Sequence, residues 1–160
     1  MAAGPGTDGG VAWEDIARRL ASSRNYWLVT VDADGGPHAV PVWGTVHSES
    51  LYCFSTRTTR KSRNLARDSR AVVHLEDGDD VVIVHGRMED VGDPAETPGV
   101  VRALAAKYDR PEDAGYLPSL APGAGPDYRP DVLYRLEPER ALLWSLSDFD
   151  ASQVEWRRDR

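Results

Sequence analysis

Cysteine is almost missing from this 160-residue chain: Cys53 stands alone, so no internal disulfide can form, and a reducing compartment is expected. Long apolar runs are missing as well. None approaches the roughly 18 residues that a membrane-spanning helix needs, and the opening Met1-Ala2-Ala3-Gly4-Pro5-Gly6 has no charged-then-apolar leader pattern. A soluble, cytoplasmic protein is expected. Positive charge is in deficit, with 19 Lys and Arg against 26 Asp and Glu for a formal net charge of -7. That argues against nucleic-acid or anionic-membrane binding, because both need a positive field. Any anion site must be a local exception. Metal-ligand spacings are missing too: His38, His47, His74 and His85 lie in separate segments, with no His-x-x-x-His and no Cys-x-x-Cys. Neither a Gly-x-Ser-x-Gly elbow nor a Walker loop occurs.

What remains is an ordinary globular balance, 41% hydrophobic and 28% charged, enough for the core of one domain. Residues 1–10 are Gly-rich and read as a disordered tail, and 11–160 as a single domain. Trp13, Ile16, Ala17 and Leu20 recur at helical spacing. Strand signals follow at 26–31, 38–47, 51–55, 71–75 and 81–89, with two late strands at 132–136 and 141–145. Asp32 to Pro37 is turn chemistry, and Pro41 and Gly44 mark a bulge, bend or edge in the second strand. Helices are expected over 60–67 and 97–108, and the Pro- and Gly-rich segment 109–130 as a long functional or covering loop. Six or seven short strands with flanking helices predict a mainly β (α+β), mostly antiparallel barrel or sandwich rather than a doubly wound sheet.

The chemistry concentrates in Ser55-Thr56-Arg57-Thr58-Thr59-Arg60-Lys61-Ser62-Arg63-Asn64-Leu65, between a strand and a helix. Thr59 is a natural N-cap. Arg60 and Lys61 then fall in the first helical turn, where cations oppose the macrodipole by about 0.3–1 kcal/mol each. A bound anion reverses the sign of that cost, and the free N–H groups of a helix start face such an anion. The hydroxyls of Ser55, Thr56, Thr58 and Thr59 add donors. Arg offers a fork and Lys a point charge, a pair suited to phosphate. A solvated basic face is the competing explanation, and it suits Arg63, Arg67 and Arg70. Cys53 lies in the apolar run Leu51 to Phe54 and reads as buried. Trp43 suits either the wall of a ring pocket or the core.

This strand, Thr59-Arg60-Lys61 and a helix with Leu65 resemble the phosphate-binding segment of the pyridoxamine-phosphate-oxidase-like split-barrel flavoproteins. The resemblance implies a split β-barrel in which Thr59, Arg60 and Lys61 hold a flavin phosphate, with Ser55 and Thr56 beside it. It implies that Val40, Pro41, Val42 and Trp43 lie along the flavin ring. Pro41-Val42-Trp43, the run Arg60 to Leu65 and the tail Trp144-Ser145-Leu146-Ser147-Asp148-Phe149 are similar to the actinobacterial deazaflavin-dependent reductases of that group. That branch implies a reductase passing hydride from coenzyme F420 to a small organic acceptor, with Arg57 and Arg63 meeting the polyglutamate tail of F420. It also implies a homodimer with the cofactor at the subunit interface. FMN is the alternative cofactor, and a carrier or sensor without turnover is the alternative function. Only Trp156-Arg157-Arg158 is similar to the C-terminal end of the oxidase itself, so oxidation of pyridoxamine phosphate is not expected. The residues single out no catalytic side chain.

Overall fold

A computed structural model describes residues 10–118 and 129–159. The tail over 1–9 and the middle of the 109–130 segment lie outside them. Helix α1 (Trp13–Ala21) leads into β1 (Asn25–Val31), β2 (Pro37–His47) and β3 (Ser50–Ser55). Helix α2 (Arg60–Arg67) follows, then β4 (Arg70–His74) and β5 (Asp80–Asp90). Helix α3 (Pro98–Lys107) and a 3₁₀ turn at Ala114–Tyr116 precede β6 (Val132–Ser145), α4 (Phe149–Ser152) and β7 (Val154–Arg157).

The strands pair antiparallel in the order β3-β2-β1-β4-β5-β6-β7, and β3 also pairs with β6. That second pairing closes six strands into a barrel and leaves β7 outside it, so every strand of the ring is paired on both sides over at least part of its length. Alternation drives closure. Tyr26 and Leu28 of β1, Val73 of β4, and Val82, Val84 and Met88 of β5 are buried and share one core. The same core takes Ile16, Ala17 and Leu20 of α1, the apolar stripe expected from the sequence. Trp13 stacks obliquely on Trp156 of β7 (5.0 Å between centroids) and donates its indole N–H to Glu49 O, closing one end of the barrel.

One expectation needs correcting. The two late strands are a single strand, β6, which runs unbroken through Glu137-Pro138-Glu139-Arg140. The pairing with β5 slips at His85/Gly86, and Pro138 sits opposite Gly86 in that irregularity. A β-bulge tolerates the missing proline N–H, so a sequence that reads as a turn is a kink inside a strand. A Cβ at Gly86 would meet Pro138 Cα at 3.0 Å, which accounts for the glycine. β7, too short to register as a strand, pairs with β6 over Arg140–Leu143 on the flank where β3 has already stopped.

Candidate active site at the strand split

The functional geometry begins where β2 changes partner. Pro37 to Trp43 pair with β1, whereas Gly44 to His47 pair with β3. From 38 to 43 the β3-facing edge of β2 therefore has no strand along it, and Pro41 fits that open edge because it has no N–H to pair. β3 leaves β2 after Cys53 and continues to Ser55 paired with β6 alone. A pocket of about 420 Å³ fills the split, lined by Pro41, Val42, Trp43, Phe54, Lys61 and Tyr116. Pro41, Val42 and Trp43 thus share one pocket with Lys61. Val40 is half-buried, one residue further along β2, and packs against the main core.

Lys61 reaches this pocket from the first turn of α2. Thr59 caps the helix: its hydroxyl accepts from Ser62 N–H at 3.4 Å and donates to Thr56 O at 2.9 Å. Ser55, 1% exposed, lies 3.0 Å from Thr59 Oγ1. These hydroxyls stiffen the strand-to-helix turn. The N–H groups of Arg60 and Lys61 belong to the unpaired start of the helix, and Thr56 Oγ1 is buried without a hydrogen-bond partner among the described residues. Lys61 is half-buried, and among the described residues no carboxylate lies within ion-pair distance of it. Burial accordingly pulls its pKa below the ordinary lysine value. A cation held this way is in deficit of an anion.

Arg60 does not join Lys61. Its guanidinium grips Asp32 in a two-pronged pair, with Nε donating to Oδ1 at 2.9 Å, and Asn64 Nδ2 donates to the same oxygen at 2.9 Å. Arg60 and Asn64 hold the Asp32 carboxyl below its usual pKa. Arg57 and Arg63 are elsewhere again. They border a larger cleft, about 950 Å³, that shares no lining residue with the Lys61 pocket. There Arg57 pairs with Asp90, and Arg63 donates to Thr58 O at 2.6 Å. The larger cleft has seven charged residues of both signs around it. The smaller one has an open strand edge, aromatic walls and a single cation, which suits a flat anionic ligand better.

The residues that build the other wall gave little sign of themselves. β1 begins only at Asn25, opposite Trp43, so Gly44 faces no rung on that side; Tyr108 OH takes its place, accepting from Gly44 N–H at 3.0 Å and donating to Arg24 O. Lys107 Nζ donates to Gly44 O at 2.7 Å and to Tyr26 OH at 2.9 Å. The Tyr108 ring stacks on Trp43, 4.4 Å between centroids and 6° from parallel, so Trp43 serves both the pocket and a second, smaller core of Phe54, Val100, Leu104, Tyr108 and Leu133. Arg24 lies against both rings and donates to both oxygens of Asp113 at 2.8 and 2.9 Å. Lys107 was findable, since it continues the Val100, Leu104, Tyr108 stripe of α3. Asp113 was not.

Burial pushes Lys107 down to about 8. Its folded pKa lies below the ordinary lysine value near 10.4, so between about pH 8 and 10 the unfolded chain binds more protons and stability rises with pH. Relative to Lys107→Met, the wild type is expected to gain about 1 kcal/mol across that window, allowing for partial solvent screening. Paired urea melts at pH 7.5 and 10 check this.

Among the described residues, no group of three or more His, Cys, Asp or Glu is arranged to hold a metal ion, and no helix is long and apolar enough to cross a membrane. Cys53 is buried, its thiol pushed up to about 12 by burial.

Residues 12–145 match the family model described as pyridoxamine 5'-phosphate oxidase. The chain belongs to that family. Solved structures share the fold at low identity. A conserved hypothetical protein of Mycobacterium tuberculosis, Rv2991, superposes with a TM-score of 0.68 at 24% identity, covering 89% of this chain and 90% of that one. A heme-binding protein from Mycobacterium smegmatis gives 0.65 at 19%, covering 92% of this chain and 58% of that one. An F420 reductase gives 0.56 at 21%, covering 85% and 98%. No curated protein matches the sequence. The match runs from α1 to the end of β6, and so includes every residue of the strand-split pocket.

Proposed function

We propose that this member of the pyridoxamine 5'-phosphate oxidase family is an oxidoreductase that binds coenzyme F420 and delivers hydride to a small organic acceptor, with FMN as the alternative occupant. One observation carries the reading: Lys61 is half-buried in the strand-split pocket without a carboxylate among the described residues. The pocket's residues fit a flat, phosphate-bearing ring. Lys61 and the N–H groups of Arg60 and Lys61 suit the phosphate. The open edge of β2 over 38–43 offers backbone groups to the ring's polar atoms, and Trp43 and Phe54 exclude water from its flanks. When bound, the cofactor supplies the hydride chemistry; the protein supplies position and charge. The fold likeness to an F420 reductase is compatible with this occupant.

Titration with F420, FMN and FAD, followed by tryptophan fluorescence, tests the reading. Micromolar binding of F420 with none of FMN supports the deazaflavin. Preference for FMN selects the alternative, and no binding of any of the three removes the proposal. Tight binding without turnover of any acceptor makes the protein a carrier or sensor.

We further propose a homodimer. Pro41, Trp27, His74, Ile83 and Leu142 form one row across the outside of the barrel, in register from β2 to β6. Val29 and Val72 lie in the next row, and Trp27 stacks on His74. This partly exposed apolar face runs directly into the pocket at Pro41, so a second copy seated on it would also cover the cofactor site. Trp27→Glu is expected to convert the dimer to monomer in light scattering and to lower cofactor affinity with it. An unchanged dimer would exclude this face.

A further inference from the structure

We infer that Tyr116 is a specificity-determining residue that makes the pocket select flat, conjugated ligands over saturated ones of equal charge, and that the Arg24–Asp113 pair is the positioning device that holds it there. The inference rests on the pocket reading above and adds to it the ligand class that the pocket's aromatic wall accepts.

Tyr116 ends the 3₁₀ turn Ala114–Tyr116, which buries none of its own residues. The turn has no core to fix it. It is tied at its N-terminal end by Asp113, whose side chain is only 5% exposed and is gripped by Arg24. Arg24 immediately precedes β1, so the tie runs to the barrel itself. At the other end Leu117 packs on the second core, with Phe54, Leu104 and Tyr108. Between these two anchors Tyr116 is 60% exposed, an uncommon condition for a large hydrophobic side chain here: among the described residues only Leu146 and Phe149 join it. Its ring meets Trp43 edge-on, 75° from parallel with 6.2 Å between centroids. Tyr108 already covers a face of Trp43. The Tyr116 ring thus extends an aromatic wall of the same pocket that Lys61 lines.

A wall of rings set at right angles favours a conjugated ligand, which gains edge-to-face contacts that a saturated body of similar volume does not. Lys61 adds attraction for anionic or electron-rich oxygen without regard to flatness. Charge and flatness therefore separate onto different residues.

The test uses the full-length protein and two probes of equal charge, naphthalene-2-sulfonate and the saturated decahydronaphthalene-2-sulfonate, titrated by calorimetry. The wild type is expected to prefer the flat probe by about fivefold or more. Tyr116→Leu keeps an apolar side chain and should bring the two affinities within about twofold, whereas Tyr116→Phe should keep the preference. Asp113→Asn should lose it as Tyr116→Leu does, and Asp113→Glu should restore part of it. Because the quantity is a ratio within one variant, a smaller folded fraction does not move it. Lys61→Met should weaken both probes alike and leave the ratio intact. If Lys61→Met changes neither affinity, the pocket reading itself fails. If Lys61→Met weakens both but Tyr116→Leu keeps the wild-type ratio, only the role of Tyr116 falls. Equal affinities in the wild type overturn it as well.

Discussion

Lys61→Met is expected to weaken binding of F420 or FMN by about 10- to 100-fold, the loss of a charge-assisted hydrogen bond worth about 1.5–3 kcal/mol. Arg60→Ala should cost less than about fivefold, although the two residues are adjacent in sequence. The difference lies in their partners. Arg60 is already matched by Asp32 and Asn64 at the β1–β2 turn, and its side chain is 60% exposed; an exposed ion pair contributes little and gives up little. Lys61 is half-buried in the pocket with no described carboxylate to meet it. The pH dependence separates the two further. Free Lys61 has a pKa below the ordinary lysine value, and a bound phosphate raises it again. Across the interval between those two values the complex holds more protons than its free components, so affinity falls as pH rises. The phosphate carries its negative charge throughout that interval, so Lys61→Met should remove this part of the pH dependence, whereas Arg60→Ala should keep it. Fluorescence titrations at pH 7, 8, 9 and 10 provide the comparison. Equal losses for the two variants would mean that Arg60 leaves Asp32 to reach the ligand.

The barrel was legible because strand alternation and turn chemistry are local. Tyr26, Leu28 and Thr30 point inward from β1 at every second position, and the pattern needs no knowledge of the rest of the chain. The start of α2 was legible for a different reason: two cations in a first turn contradict a local rule, and such contradictions gather at functional sites. What the sequence could not supply was partnership across distance. Asp32 reads as the first residue of a turn, and only the closed barrel brings it to Arg60, 28 positions away. Asp113 lies 89 positions from Arg24, in a segment whose composition says loop and nothing more. The β6 kink was hidden similarly, since a proline inside a strand is readable only with Gly86 beside it. The candidate pocket therefore showed its β2 and α2 walls in the sequence and concealed the wall built by the end of α3 and the turn after it.

That concealed wall hinges on Gly44, and Gly44→Ala is expected to destabilise the protein by about 3 kcal/mol, at the upper end of overpacking costs. A Cβ there would stand well inside van der Waals contact with Tyr52 O and 2.9 Å from Cys53 Sγ, and neither the β3 backbone nor a fully buried thiol has room to retreat. Relief requires β2 to move away from β3 at the first rung of their pairing. The same residue holds α3, because its N–H donates to Tyr108 OH and its carbonyl accepts from Lys107 Nζ. Displacing Gly44 strains both bonds and the Trp43–Tyr108 stack beside them. The variant should thus lose ligand affinity along with stability, while Gly115→Ala, whose added methyl meets nothing within 4 Å, should change stability by less than about 0.5 kcal/mol. Urea denaturation of the two variants tests the contrast. A Gly44→Ala protein within 1 kcal/mol of wild type that still binds cofactor normally would show that β2 can part from β3 without disturbing the pocket, and the split would then be a hinge rather than a fixed frame.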